Sequence, residues 1–593
     1  MISLQKKQKE ALLILFLGIT LMSVAGTQYF AFKTHYNPIL KPMYKNIYFP
    51  FYVWVWVSKY KLSAPRLINE VSAIMNLFSI VYTGIIYFIL IRKSEKDTHG
   101  SARFSKDSEL KKMELLDYKT PKNLYIDGVI LGRTEKGNTV IDNLPTHILM
   151  IAPSRSGKGV GVILPTLTNW RHSVICFDVK GENFKKTSLF RKTNLNNKVL
   201  RLSPCDPLAN TSYNPLKEVR IRTQYEVKDV EVIALLLVQE EGKKRDHFDT
   251  AASSAFSSII LHLLYENPNA TMGDIYDFIT SPNGSVEEKF TRLLTTTYDS
   301  DKNIIRAIYK DSPYADGVHP LVAQGANEIL SKSDRERASV ISVVINKLLL
   351  FKDPIVRRNT SKSDFKLADL LDSETPVSLY FGAELEDLDR LGIYIRVVLT
   401  MFMNISTRTE VHKHKCLMLL DEFPLYGKLE TIETALGVIA SYGIKIMLIA
   451  QNKEQIEKVY GKVNTVKQGC ATTVFYAPVE NDENTSKLIS DILGNKTISY
   501  KTSSGKKFGG FLEGSTSVQK KARKLLEPDE VRSKLGQFRN LILISGCNPT
   551  LGRKIFYYQE AFFKDKILSK GDTENKDKWA TLDIIERRRK KWN

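Results

Sequence analysis

The chain has 593 residues, too many for a single hydrophobic core, so two or three domains are expected. Its 86 Lys and Arg exceed its 65 Asp and Glu by 21, an excess that suits a nucleic-acid or anionic-membrane partner, although a Lys-rich solvated surface accounts for part of it. The five cysteines, Cys176, Cys205, Cys416, Cys470 and Cys547, make no C-x-x-C pair, which argues against disulfide or metal roles and for a reducing compartment.

Two uncharged runs open the chain after a tail, residues 1–10, that carries Lys6, Lys7 and Lys9. Ala11 to Phe32 and Val71 to Ile91 hold 22 and 21 residues without a charge. At about 1.5 Å per residue, either run crosses a hydrocarbon core of about 30 Å. The first also has the look of a signal peptide, because Ser23-Val-Ala25 resembles a cleavage site. Both readings put residues 33–70 outside and return the chain to the cytosol after the second run. Positive charges do not decide this alone, since Lys33, Lys41, Lys45, Lys59, Lys61 and Arg66 lie in the outer loop, opposite Arg92, Lys93 and Lys96. The nucleotide motif downstream decides it, because ATP is cytosolic. Within the loop, Ile47 to Val57 is too short to span and is expected at the outer interface or against another membrane protein, with Trp54 and Trp56 as anchors.

The segment His147-Ile-Leu-Met-Ile-Ala-Pro-Ser-Arg-Ser-Gly-Lys-Gly159 is an apolar strand running into a glycine-lysine turn. It reads as a P-loop, in which the turn Ala152, Pro153, Ser154, Arg155, Ser156, Gly157, Lys158, Gly159 and Val160 would surround phosphates at a helix start, with backbone N–H groups from every residue but Pro153. Lys158 would reach the terminal phosphates. Two departures from G-x-x-x-x-G-K-[ST] are Ala152 in place of the first Gly and Gly159 in place of the hydroxyl that would hold Mg²⁺.

Further strands are predicted at 173–177, with Asp178 and Lys180 just after it, and at 376–381, 415–420, 444–450, 472–476, 541–544 and 555–558. The run Lys415-Cys-Leu-Met-Leu-Leu-Asp-Glu422 ends in two carboxylates at a strand tip, where ligands bind in open α/β sheets. Asp421 is suited to hold hydrated Mg²⁺ and Glu422 to orient or deprotonate the attacking water. Gln451, at the tip of Ile444 to Ala450, is placed to sense the terminal phosphate or to cap the next turn.

Lys158 and Asp421 are 263 positions apart, and most of the excess is a helical tract over residues 185–355. Its 3.6-residue periodicity at Val227 to Gln239, Asp249 to Tyr265, Val286 to Leu294 and Arg335 to Phe351 predicts an inserted all-α domain with its own core. Lys243, Lys244 and Arg245 form a solvated face first and a substrate contact second. Residues 500–519 are polar and Gly-rich, a mobile loop or hairpin; Glu586 to Trp592 is a basic tail suited to an acidic partner or nucleic acid. The fold class is thus α/β, a mostly parallel twisted sheet with an all-α insertion and a two-helix membrane anchor.

In this order the parts resemble the coupling-protein ATPases of type IV secretion systems, the TraG/TraD class. The matching pieces are the two runs around a short loop, His99-Gly-Ser-Ala-Arg-Phe104, Ala152 to Gly161, Phe177-Asp-Val-Lys-Gly-Glu182, Leu420-Asp-Glu-Phe423, Ile449-Ala-Gln451, Leu526 to Arg532 and Gly546-Cys-Asn-Pro549. The resemblance implies a RecA-like motor, hexameric when active, in a bacterial inner membrane. Residues 33–70 would be periplasmic, 92–184 and 356–565 would form the nucleotide-binding domain, and 566–593 would be a basic tail. ATP and Mg²⁺ would be its cofactors. Its partners would be other secretion components and a relaxase–DNA complex or effector proteins as cargo, with non-specific DNA binding. Gly159 is similar to what one branch of the family carries. Some relatives place a trans-acting arginine after the carboxylate pair; Gly437 to Gly443 has none, leaving Arg396, Arg532 and Arg539 as candidates. Two other readings share the motifs: a receptor platform that binds nucleotide but scarcely hydrolyses it, and a chromosome-segregation DNA translocase.

Overall fold

A computed structural model describes the chain apart from residues 1, 95–99, 118–127, 240–245, 505–514, 565 and 568–593; the side chains of 2–15, 85–94, 501–504 and 515–518 also fall outside the description. Lys243, Lys244, Arg245 and the basic tail therefore lie outside the described residues. The chain divides into two units, Met1–Ser101 with Asn495–Arg523, and Ala102–Gly494 with Lys524–Asn593.

The first unit holds helices Ile2–Lys33, Tyr52–Tyr60 and Pro65–Ser94. Among the described residues no helix is long and apolar enough to cross a membrane. The two expected spans lie on the first and third of these helices, partly over residues whose side chains are not described. The aromatic stretch forms the short middle helix, and it packs inward. Trp56 is 6% exposed, with its ring centroid 5.1 Å from that of Phe30, so its expected role as an interface anchor is corrected. Trp54 is half exposed but donates from Nε1 to Ser23 Oγ at 2.9 Å, and Thr27 Oγ1 accepts from the Val53 N–H at 3.0 Å.

Among the described residues fourteen strands follow in chain order: β1 (Leu116–Asp117), β2 (Val129–Arg133), β3 (Thr139–Asp142), β4 (Ile148–Ile151), β5 (Ser173–Phe177), β6 (Lys198–Leu202), β7 (Val377–Phe381), β8 (Cys416–Leu420), β9 (Ile444–Ala450), β10 (Thr472–Phe475), β11 (Asn495–Ser504), β12 (Ser515–Lys524), β13 (Arg539–Ile544) and β14 (Thr550–Arg553). β11 and β12 form a two-stranded sheet, and the Gly-rich residues 505–514 between them lie outside the described residues. The other twelve make one sheet in the order β1-β3-β2-β14-β13-β10-β4-β9-β8-β5-β7-β6. From β10 to β6 every pairing is parallel, and the rest of the sheet is antiparallel. β4, β8 and β9 are buried at every position, as parallel strands covered on both faces must be. The one charge among them, Lys445, survives burial because Asp142 pairs with it at 3.0 Å and the Leu144 and Thr146 carbonyls accept from it.

Three expectations change. Lys198 to Leu202 lies inside the supposed all-α segment 185–355 yet is an edge strand of the main sheet, carrying the charges Lys198 and Arg201 that an edge strand allows. The helices begin at Glu226 and run to Asn359, with Asp246, Thr271 and Ser285 forming capping boxes. The tract's main core is also not its own: Val230, Phe256 and Ile260 belong to the same buried cluster as Ile151, Phe177 and Leu420, and only a small group around Tyr265, Tyr298 and Ile305 stands apart. Finally, 555–558 is not a strand. The strand is β14, and Tyr557–Gln559 is a 3-10 turn.

Candidate nucleotide site

Parallel register brings the motif residues together. Ile151 pairs with Ala450, Leu420 with Leu448, and Phe177 with Leu420, so β4, β9, β8 and β5 end on one edge of the sheet. After β4 the Ala152 N–H donates to the Ala450 carbonyl at 2.9 Å, and the chain then turns away. The turn needs left-handed backbone at Arg155 (φ 59°) and Gly157 (φ 93°). A short helical segment starts at Gly159, which leaves Lys158 at its head.

Lys158 Nζ lies 2.5 Å from Glu422 Oε1 and 3.0 Å from Asp421 Oδ1. Glu422 Oε2 accepts from Gln451 Nε2 at 3.1 Å. All four side chains from three separate strand tips therefore touch in one cluster. Glu422 occupies left-handed backbone (φ 55°), an uncommon state for a non-glycine residue of the kind that collects at functional sites. Burial raises the Asp421 carboxyl above its usual range, and the neighbouring ammonium offsets only part of that. Asp178, at the tip of β5, is pushed up to about 6, chiefly by burial. It accepts from the Phe184 N–H at 2.8 Å and so caps the helix Glu182–Thr193.

An open cleft of about 1180 Å³ surrounds this cluster. Ser154, Arg155, Ser156, Gly157, Lys158, Gly159 and Val160 line it, as do Asp178, Lys180, Asp421, Glu422 and Gln451. Ala152 and Pro153 are buried behind the turn and do not line it. One buried oxygen in the cleft's wall, Ser156 Oγ, has no hydrogen-bond partner, and Asp421 Oδ1 has only the Lys158 ammonium that it shares with Glu422. An unpaired hydroxyl, a lysine and two carboxylates at one glycine turn fit a phosphate chain with its divalent cation. A Cβ added at Gly159 would meet nothing within 4 Å, so space for the missing hydroxyl exists.

Sequence reasoning missed several lining residues. Gln537, Phe556 and Tyr558 come from the C-terminal part of the chain, where no motif signals them. Lys554, 7% exposed, donates to the Ser156 carbonyl at 3.1 Å from beneath the turn and stands 4.1 Å from the Tyr476 ring centroid. Burial lowers its ammonium to about 8. Of the three candidate arginines none lines the cleft; Arg539 pairs with Glu135 at 3.0 Å and Arg532 lies 3.7 Å from Glu480.

A lysine from a glycine turn, set against carboxylates at parallel strand tips, defines a P-loop ATPase fold of the α/β class. The chain belongs to the type IV secretory system conjugative DNA transfer family, whose model matches residues 100–577. It is 30% identical over 589 residues to the conjugal transfer protein TraG of Escherichia coli, covering 91% of this chain and 90% of that protein. It is 29% identical over 501 residues to the protein VirD4 of Agrobacterium fabrum, covering 82% and 70%. Among solved structures, the plasmid coupling protein TrwB in complex with ADP and Mg²⁺ matches with a TM-score of 0.52 at 15% identity, covering 78% of this chain and 96% of that one. That last likeness shows the fold.

Proposed function

We propose that this chain is a ring-forming ATPase of the bacterial inner membrane that receives cargo and couples ATP hydrolysis to its delivery into a type IV secretion channel. The observation that carries the reading is the contact of Lys158 with both Asp421 and Glu422, from strands that sequence places far apart. In this reading residues 152–160 hold the phosphates, with Lys158 on the terminal ones. Asp421 holds Mg²⁺ through water, Glu422 orients or deprotonates the attacking water, and Gln451 reports the terminal phosphate to its strand. Residues 11–32 and 71–91 serve as the anchor, 33–70 face the periplasm, and the remainder is cytoplasmic. The active form is a homo-hexamer whose trans-acting arginine comes from a neighbouring subunit. Cargo is a relaxase–DNA complex or effector proteins, and the net charge of +21 supports non-specific DNA binding. The family and the conjugal relatives support the transfer role.

The test is Glu422→Gln in the full-length protein. It should bind ATP as the parent does while turnover falls by roughly 10²–10⁴-fold, the scale of general-base catalysis, and transfer in a strain lacking the native protein should fail. Parental turnover would reduce the carboxylate pair to an ordinary strand tip.

A further inference from the structure

The glycine turn rests on a second lysine. Lys554 follows directly on β14 and is buried, with its backbone N–H donating to the Phe538 carbonyl at 2.8 Å. Its ammonium meets the Ser156 carbonyl, which accepts from it at 3.1 Å, and the Tyr476 ring, whose centroid lies 4.1 Å away. Tyr476 is itself tied to the base of the turn, because its N–H donates to the Ile151 carbonyl at 3.0 Å. Gly161 permits this close seating: a Cβ there would stand 2.8 Å from both the Ile555 carbonyl oxygen and Tyr476 Oη. Among the described residues no carboxylate pairs with Lys554, and the other charged side chains that line its pocket, Lys534, Arg539 and Arg553, are all cations. Glu135 pairs with the two arginines instead. A buried ammonium costs stability unless negative charge compensates it, and a ring face does so only in part.

A trans peptide points its C=O and its N–H in opposite directions. No described peptide bond is cis, so the Ser156 carbonyl that meets Lys554 sets the Gly157 N–H on the side of the turn away from that lysine. Gly157 lines the cleft, and its N–H donates to none of the described residues. Resting on the ATP-site reading above, we propose that Lys554 is a positioning residue for the phosphates: from beneath the turn its ammonium fixes and polarises the Ser156–Gly157 peptide, which makes the Gly157 N–H a strong donor to a phosphate oxygen. Lys158 meets the phosphates by contact in that reading, whereas Lys554 acts only through the peptide. A charged donor on a carbonyl strengthens the bond made by the same peptide's N–H, because hydrogen bonds in a chain polarise one another. The incoming anion in turn supplies the negative charge that the buried ammonium lacks. Burial lowers that ammonium to about 8, so its charge is present below about pH 8 and lost above it, and the effect can be titrated in the parent itself.

The experiment measures equilibrium binding of ATP and of inorganic tripolyphosphate, each with Mg²⁺, to the full-length detergent-solubilised protein at pH 7 and pH 9, with circular dichroism establishing that it is folded at both. The parent's affinity for either ligand should fall by about threefold to tenfold between the two pH values, as the ammonium loses its charge. Lys554→Gln keeps an N–H for the Ser156 carbonyl but no charge. It should bind both ligands about tenfold more weakly than the parent at pH 7, the difference between a charged and a neutral donor, and change little by pH 9. A parent with the same affinities at both pH values would overturn the proposal, and that result needs no variant to fold. Parental affinity of Lys554→Gln at pH 7 would overturn it too, as would the parent's own fall toward pH 9 in that variant, which would assign the titration to another group. So would a loss confined to ATP, because tripolyphosphate carries every group that the peptide is proposed to meet. A parent that binds neither ligand at either pH would instead bring down the ATP-site reading itself.

Discussion

In the helical tract Glu226 is fully enclosed, and its carboxylate receives the Arg222 N–H at 2.7 Å, the Tyr265 and Tyr309 hydroxyls at 3.1 and 3.0 Å, and faces His319 Nε2 at 3.2 Å. At the cleft Asp421 and Glu422 share one lysine, at 3.0 and 2.5 Å, and Glu422 has besides it only the Gln451 amide. A buried carboxylate with every lone pair occupied is a structural fixture, since nothing further can bind it without displacing a bond. A buried carboxylate left short of partners costs stability in the free protein and recovers it only when a ligand arrives. The difference separates the scaffold from the site without reference to any motif.

The comparison is most easily broken from the scaffold side. Glu226→Ala removes the acceptor that two tyrosines, a histidine and a backbone amide share, and should cost about 3–5 kcal/mol of folding stability. Denaturant titration of the full-length protein should show the shift, while ATP affinity under native conditions stays at the parental level. A variant as stable as the parent would mean that this network is not structural.

Asp178 sharpens the comparison through pH. Its folded value of about 6 lies above the ordinary 3.8, so its favourable contribution is complete below about pH 3.8 and is lost as pH rises through about 6. At pH 7 the ionised carboxylate is a liability of at most about 3 kcal/mol, from roughly two pH units at 1.36 kcal/mol each. Asp178→Asn keeps an oxygen for the Phe184 N–H. Nucleotide-free Asp178→Asn should therefore melt higher than the parent at pH 7, and the gain should shrink toward pH 4. An equal gain at both pH values would contradict the assigned cause.

The smallest effect is expected at Gly159. Its added Cβ meets open space and its backbone is helical, so Gly159→Ser should change stability by less than about 1 kcal/mol. The new hydroxyl should lower the Mg²⁺ concentration needed for half-maximal turnover. An unchanged Mg²⁺ requirement would show that the absent hydroxyl is not what limits the metal.

Much of this arrangement was legible in the sequence, and for physical reasons. β4, β5, β7, β8 and β9 read as strands because both faces are covered, which forces continuous apolar runs ending in polar tips. The helices of the tract announced themselves through their 3.6-residue period, and the structure adds the Asp246 cap. β6 was lost because an edge strand of five residues that carries two charges, Lys198 and Arg201, resembles the polar segments around it. The aromatic run 555–558 read as a strand from its propensity, yet here tertiary packing turned it to set rings beside Gly157. Lys554 and Gln537 carried no signal at all, because each acts through a partner far away in sequence. The four cluster residues, Lys158, Asp421, Glu422 and Gln451, were each foreseen, but their mutual contacts rest on strand order, which sequence does not print.

The most direct test is equilibrium binding of ATP with Mg²⁺ to full-length Lys158→Ala in detergent, beside the parent and with circular dichroism to establish that both are folded. The account predicts that the parent binds and that the folded variant does not, because the ammonium now held between Asp421 and Glu422 is the group that meets the terminal phosphates. A folded Lys158→Ala protein that binds ATP with parental affinity would contradict it.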